Sequence, residues 1–273
     1  MKIYPKIDER YNGLESLKNT IIKYKGVEIQ FFNNDNIWGN YDIEKTIKYV
    51  MEKIPEIQEI TVHPPLHDHD IEVIIEKDIN IVKNDIQKAL NLTKQFDLKI
   101  NLLYHVTWPI NKIEVSVLDK IREIVKELEG TNINILLENI HTLNENNFCT
   151  VLEICKRINS EKLKVCLDIC HLHCVANIFK KDIKDLLEYY ISKELAEKYI
   201  YQIHFSATKN KDGYIDKKTH GVKHDSLEEI IKDFEILKMF NIEQRRIVTE
   251  IAEENYIKRD DQKFEIELLE KIK

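Results

Sequence analysis

The chain is poor in glycine, with six in 273 residues, and none falls in a GxGxxG or GxxxxGK(S/T) spacing. Those spacings let backbone amides cradle a phosphate, so a glycine-rich nucleotide loop is excluded. Arginine is also scarce, six against 35 lysines, which leaves few bidentate guanidinium clamps for phosphate. No apolar run approaches the roughly 18–20 residues that a membrane span requires. The opening Met1-Lys2-Ile3-Tyr4-Pro5-Lys6 lacks the apolar core of a signal peptide. No Gly- or Ser-rich linker and no low-complexity tract divides the chain. A net charge of −7 and a pI near 5.9 give no broad attraction for nucleic acid, although a local basic groove is compatible with them. Five cysteines, an odd number, point to reduced thiols and a cytoplasmic location.

What the chain does have is a rhythm. Apolar residues are 43% of the chain, enough for a sizeable core, and charged residues of both signs are 33%, as amphipathic surface helices need. Apolar positions recur at i, i+3, i+4 and i+7, for example Ile43, Ile47, Val50 and Ile54, or Leu118, Ile121, Val125 and Leu128. Between such stretches stand short apolar runs that read as buried parallel strands. They fall at 2–5, 27–32, 60–63, 99–105, 132–138, 164–168, 199–204 and 246–250. Strict strand–helix alternation implies a parallel sheet with right-handed crossovers. Eight units in about 250 residues predict one (β/α)8 TIM barrel over 1–273, with an open doubly wound sheet as the alternative. The longest loops are expected at 64–78 and 206–225, overhanging the barrel mouth.

Six of these runs end in a residue able to hold a metal: His63, His105, Glu138, Asp168, His204 and Glu250. Strand C-termini open into the mouth of such a barrel, where its active sites lie. Glu138 and Glu250 each end an apolar strand. A carboxylate there must be paired, protonated or metal-bound, because an unpaired buried charge is costly. A structural ion pair with a lysine is the plainer reading. Asp168 is followed by His171 in what reads as a loop, and by His173. Here the plainer reading is an Asp N-cap on the next helix and a solvated His173. His204 alone would be a core histidine; beside Glu138, Asp168 and Glu250 it completes a mixed carboxylate–imidazole set suited to Zn, Mn, Mg or Fe. His67 and His69 lie in an Asp-rich loop and read as solvated. His220 and His224 need a folded lid to reach the site. Cys166 and Cys170 flank Asp168 and read as core filling rather than as thiolate ligands. Trp108 reads as a ligand wall or as packing.

These residues resemble the xylose-isomerase-like TIM barrels, a superfamily of sugar and sugar-phosphate isomerases and epimerases that also holds endonuclease IV (AP endonuclease family 2). The pieces that carry the resemblance are Leu136-Leu137-Glu138-Asn139, Val165 through His171, His204 and Thr249-Glu250. In the isomerase branch, residues matching Glu138, Asp168, His204 and Glu250 bind one divalent metal, and the match to His171 touches substrate. In the endonuclease branch, the matches to His63, His105, Glu138, Asp168, His171, His204, His220 and Glu250 hold three zinc ions. The chain departs from that branch: Lys218-Thr219-His220 stands where an Asp-x-His pair belongs, and the first strand lacks the His- and Gly-bearing motif. The Gly-x-Gly common to both branches after the loop histidine is replaced by Gly221-Val222-Lys223-His224.

The expected function is thus a metal-dependent isomerase or epimerase acting on a small sugar, polyol or sugar phosphate, with zinc the first choice of metal. Glu138 and Glu250 would work as acid and base, and His171 on a substrate oxygen. The alternative is a multinuclear zinc phosphodiesterase acting on DNA; a non-catalytic ligand-binding barrel comes last. No membrane contact is expected, and oligomeric state is left open.

Overall fold

The computed structural model describes residues 1–31, 42–65, 70–140, 147–209, 220–252 and 257–272; the side chains of Asn147 and His220 lie outside this set. Eight parallel strands close into a barrel. They are β1 (Lys2–Asp8), β2 (Gly26–Gln30), β3 (Glu59–His63), β4 (Lys99–Val106), β5 (Ile133–Asn139), β6 (Leu163–Asp168), β7 (Ile200–Phe205) and β10 (Arg246–Thr249). Between β7 and β10, β8 (Ala207–Thr208) and β9 (His220–Val222) pair antiparallel beside the mouth. The barrel closes where Lys2 to Pro5 of β1 run beside Arg246 to Thr249 of β10.

The helices are α1 (Leu14–Tyr24), α2 (Ile43–Lys53), α3 (Ile71–Asp78), α4 (Asn80–Phe96), α5 (Val115–Glu127), α6 (Asn147–Ile158), α7 (Ile169–Phe179), α8 (Ile183–Tyr190), α9 (Lys193–Tyr199), α10 (Leu227–Met239) and α11 (Asp260–Ile272). Their apolar stripes pack on the outer face of the strands and form the main core. Starts are fixed chemically: Asp42, Asp182, Ser192 and Ser226 each accept a backbone N–H of the first turn, contacts of about 1 kcal/mol each. No described helix is long and apolar enough to cross a membrane.

The eight-strand expectation holds, and two local readings need correction. The stretch 64–78 is not all loop: Ile71, Ile74 and Ile75 are buried on α3, a stripe too short to stand out in the sequence beside the Asp- and His-rich residues before it. His171 and His173 are not in a loop either. Helix α7 begins directly after β6, and Asp168 caps it by accepting the His171 amide at 2.7 Å.

Inside the barrel the side chains are largely polar. Strand period two sets one parity inward: Tyr4, Lys6 and Asp8; Glu28 and Gln30; Glu59, Thr61 and His63. Gly26 lies at the same parity, and its missing Cβ is what admits the buried Tyr4 ring. At the N-terminal end Glu59 accepts Arg246 Nε (2.7 and 2.8 Å), Tyr4 Oη (2.9 Å), Tyr201 Oη (2.6 Å) and Asn101 Nδ2 (3.0 Å). Above it, Leu103, Leu136 and Cys166 make a small apolar layer. Cys166 is fully buried in this layer, and its Sγ also lies within 4.8 Å of ligand atoms of Glu138 and His204.

Candidate metal centre

Glu138, Asp168, His204 and Glu250 each offer a ligand atom, and these atoms lie within 4.8 Å of one another. They come from the ends of β5, β6, β7 and β10, which are consecutive neighbours around the barrel. His204 Nδ1 is 3.3 Å from Glu138 Oε1, 3.9 Å from Asp168 Oδ2 and 2.5 Å from Glu250 Oε2. A second group, His63, His105 and Glu138, also lies within 4.8 Å, with both Nε2 atoms 3.5 Å from Glu138 Oε2. Glu138 thus turns one oxygen to each group. The His63 ring lies 5.1 Å from that of His105 and 5.9 Å from that of His204, centroid to centroid.

His171 stands at the edge of the first group, its Nδ1 3.4 Å from Asp168 Oδ2 and 3.8 Å from Glu138 Oε1. Nδ1 is also 2.8 Å from the Asn139 carbonyl, which can only accept, so the proton sits there and the ring lone pair is on Nε2. Asn139 in turn locks the β5–β6 edge, donating to Asp168 O and accepting the Asp168 amide. Asp168 is therefore the helix cap through Oδ1, while Oδ2 is turned to the cluster.

The lysine pairing considered for the two glutamates is realised at one of them. Lys6 Nζ is 2.5 Å from Glu250 Oε1 and 3.0 Å from Glu28 Oε1. Glu28 is fully buried, and its Oε2 accepts His204 Nε2 at 2.9 Å and Gln202 Nε2 at 2.7 Å. Gln202 Oε1 accepts the Thr61 hydroxyl (2.7 Å), Thr61 accepts Asn101 Nδ2 (3.2 Å), and Asn101 also donates to Glu59. Sequence reading missed Glu28, Lys6 and Gln202. The available signal was parity: Glu28 precedes Gln30 by two, and Lys6 follows Tyr4 by two.

Burial opposes charge on every one of these groups. Against it, His204 and His105 hold Glu138 well below the usual carboxylate range, and Lys6 and His204 do so for Glu250. Against burial, the carboxylates Glu28, Glu250 and Glu138 hold His204 well above the usual imidazole value. Burial, then Lys6, lowers His63, whereas Glu138 outweighs burial at His105 and raises it.

The donor set fits a divalent cation on two grounds. Glu138 Oε2 and Glu250 Oε2 are buried without a hydrogen-bond partner, although imidazole nitrogens stand 3.5 and 2.5 Å away. Such donors face one shared point rather than one another. The four carboxylates Glu28, Glu138, Asp168 and Glu250 also outnumber the Lys6 ammonium and the His204 imidazolium together, so added positive charge relieves the site. Oxygen and imidazole donors together suit Zn, Mn, Mg or Fe.

Other sequence candidates lie elsewhere. His224 is buried between Glu265 and Asp233, and His173 bonds Asp233 at 2.9 Å, so both belong to a separate network. Cys170 packs against β8 and β9, its thiol donating to the Ala207 carbonyl and accepting the Gly221 amide, each at 3.4 Å. Trp108 packs partly buried against the main core. The backbone of His220 runs in β9, but its side chain lies outside the described residues, as do His67 and His69 entirely.

A closed (β/α)8 barrel with a carboxylate–imidazole cluster at its strand ends defines a class in which chemistry is done at the mouth. The family model for the xylose isomerase-like TIM barrel matches residues 22–268, and the chain belongs to that family. Solved structures share the fold at low identity. A zinc-containing IolI protein is 15% identical, TM-score 0.61, over 99% of this chain and 96% of that one. An AP endonuclease, family 2, from Brucella melitensis is 14% identical, TM-score 0.56, over 95% and 96%. A probable 3-DHS dehydratase, AsbF, from Bacillus anthracis is 16% identical, TM-score 0.59, over 99% of both chains. No curated protein sequence matches the chain.

Proposed function

We infer that the chain is a divalent-metal-dependent isomerase or epimerase acting on a small sugar, polyol or sugar phosphate. The observation that carries this reading is the convergence of Glu138 and Glu250 on His204 Nδ1, at 3.3 and 2.5 Å, from strands separated by two others. A divalent ion held by Glu138, Asp168, His204 and Glu250 would supply Lewis acidity toward adjacent substrate oxygens. The two glutamates then flank the substrate carbon; one takes the proton beside the carbonyl and the other returns it. His171, with its lone pair on Nε2, orients a substrate hydroxyl. Lys6 keeps Glu250 ionised. The donors lie deep, with the Glu250 side chain 27% exposed and that of His105 15%, which suits a small molecule. The zinc in the IolI structure supports zinc as the first metal to try.

A second reading, a multinuclear zinc phosphodiesterase, is favoured by one specific feature: the other oxygen of Glu138 faces His63 and His105. The test is metal content per chain, followed by solvent deuterium uptake into a panel of sugars and sugar phosphates. One metal and deuterium at the carbon beside the carbonyl support the first reading. About three zinc ions with cleavage of abasic-site DNA would replace it with the second. No metal retained after zinc, manganese and iron are supplied overturns both.

A further inference from the structure

Glu28 is fully buried below the mouth, and its contacts are all to protein groups. Oε1 faces Lys6 at 3.0 Å; Oε2 accepts from Gln202 at 2.7 Å and from His204 Nε2 at 2.9 Å. A carboxylate whose Oε1 faces the Lys6 charge and whose Oε2 takes two hydrogen bonds, on a strand below the ligand ends, is placed to aim a donor rather than to be one. Because it only accepts, the nitrogen facing it must carry a proton, so Nδ1 is the nitrogen left to face a cation. Nδ1 is the atom surrounded by Glu138, Asp168 and Glu250. Lys6 closes the bracket: it ties Glu28 to Glu250 Oε1, so Oε2 of Glu250 is the oxygen turned to the centre.

We propose that Glu28, held by Lys6 and Gln202, is a positioning residue that fixes His204 as an Nδ1 metal donor and sets how firmly the site keeps its ion. The inference rests on the metal-centre reading above. Its test is zinc affinity, measured by competition with a chromophoric chelator on the full-length wild type, Glu28→Gln and His224→Phe. The last is a control for lost buried charge outside the barrel. In parallel, ring-nitrogen NMR on histidine-labelled, zinc-loaded wild type reads the tautomer, with His204 assigned by comparison with His204→Asn.

Glu28→Gln is expected to weaken zinc retention about 10–100-fold, the usual effect of removing such an outer carboxylate, with His224→Phe within twofold of wild type. The His204 ring is expected to keep its proton on Nε2. Equal zinc affinity in Glu28→Gln and His224→Phe overturns the proposal, as does a proton found on Nδ1 of the loaded wild type. If Glu28→Gln does not fold, the tautomer measurement decides alone. Wild type that holds no zinc sinks the metal-centre reading itself and this inference with it, an outcome separate from a normal wild type beside an unaffected variant.

Discussion

His224 offers a direct test of how buried charge is managed here. Its Nδ1 is 2.5 Å from Glu265 Oε1, its Nε2 3.1 Å from Asp233 Oδ2, and its own amide 3.0 Å from Glu265 Oε2. A neutral imidazole has one N–H and cannot donate to both carboxylates, so the ring is an imidazolium. Burial alone would lower its pKa, but hydrogen bonds to Asp233 and Glu265 raise it from 6.5 to about 9. At about 1.4 kcal/mol per pH unit that rise corresponds to about 3 kcal/mol of stability. The raised folded value sets the sign: the contribution is fully present below pH 6.5 and is lost as pH rises through about 9. Asp233, pushed down to about 2, reports part of the same contact and is not added. Urea unfolding of wild type and His224→Phe at steps from pH 6 to 10 should show the wild type losing about 3 kcal/mol over that window relative to the variant. The variant should start about 3–5 kcal/mol below wild type at pH 6, with Asp233 and Glu265 left short of a partner. Parallel pH profiles for the two proteins would refute the imidazolium assignment.

Three further outcomes are expected. Burial lifts the Glu72 carboxyl to about 7, despite its acceptance of the Thr107 and Trp108 amides. Its stabilising protonated form is therefore lost as pH rises from 4.5 through about 7. Glu72→Gln, which keeps an acceptor without the charge, should gain up to about 3 kcal/mol on wild type at pH 8 and nothing at pH 4, read from denaturation midpoints. Gly26→Ala drives a methyl into the buried Tyr4 ring and should cost about 1–3 kcal/mol; an unchanged melting temperature would contradict the packing described. Zinc at 100 times its dissociation constant should raise wild-type stability by about 2.7 kcal/mol, and Glu138→Gln, which removes a charge common to both donor groups, should abolish most of that shift in a thermal melt.

The strand ends were legible because each apolar run is short, flanked by helical stripes and closed by a chemically conspicuous residue such as Glu138 or His204. What lay one step below them was not. In Val27-Glu28-Ile29 a glutamate between two β-branched residues reads as the solvent side of a half-buried strand; only closure of the sheet turns that side inward. Lys6 is hidden for the same reason within Pro5-Lys6-Ile7. The pairing of His224 with Asp233 and Glu265 joins α10, α11 and the segment after β9, so no local window contains it. His171 read as a loop residue because Ile-Cys-His-Leu-His has no helical stripe of its own; the cap that starts α7 is the site residue Asp168 itself.

The run of contacts from Glu59 through Asn101, Thr61, Gln202 and Glu28 to His204 has a consequence for redesign. Barrels of this kind are treated as modular, with a base that keeps the fold and loops that change the reaction. Here a file of oriented amides and hydroxyls threads the axis from one end to the other. Thr61 must donate to Gln202 for Gln202 to present its N–H to Glu28, so the direction of each bond is inherited from the one below. Transplanting only the mouth onto another barrel would leave its histidine without that inherited orientation, and the portable unit is the loops together with the interior of β2, β3, β4 and β7.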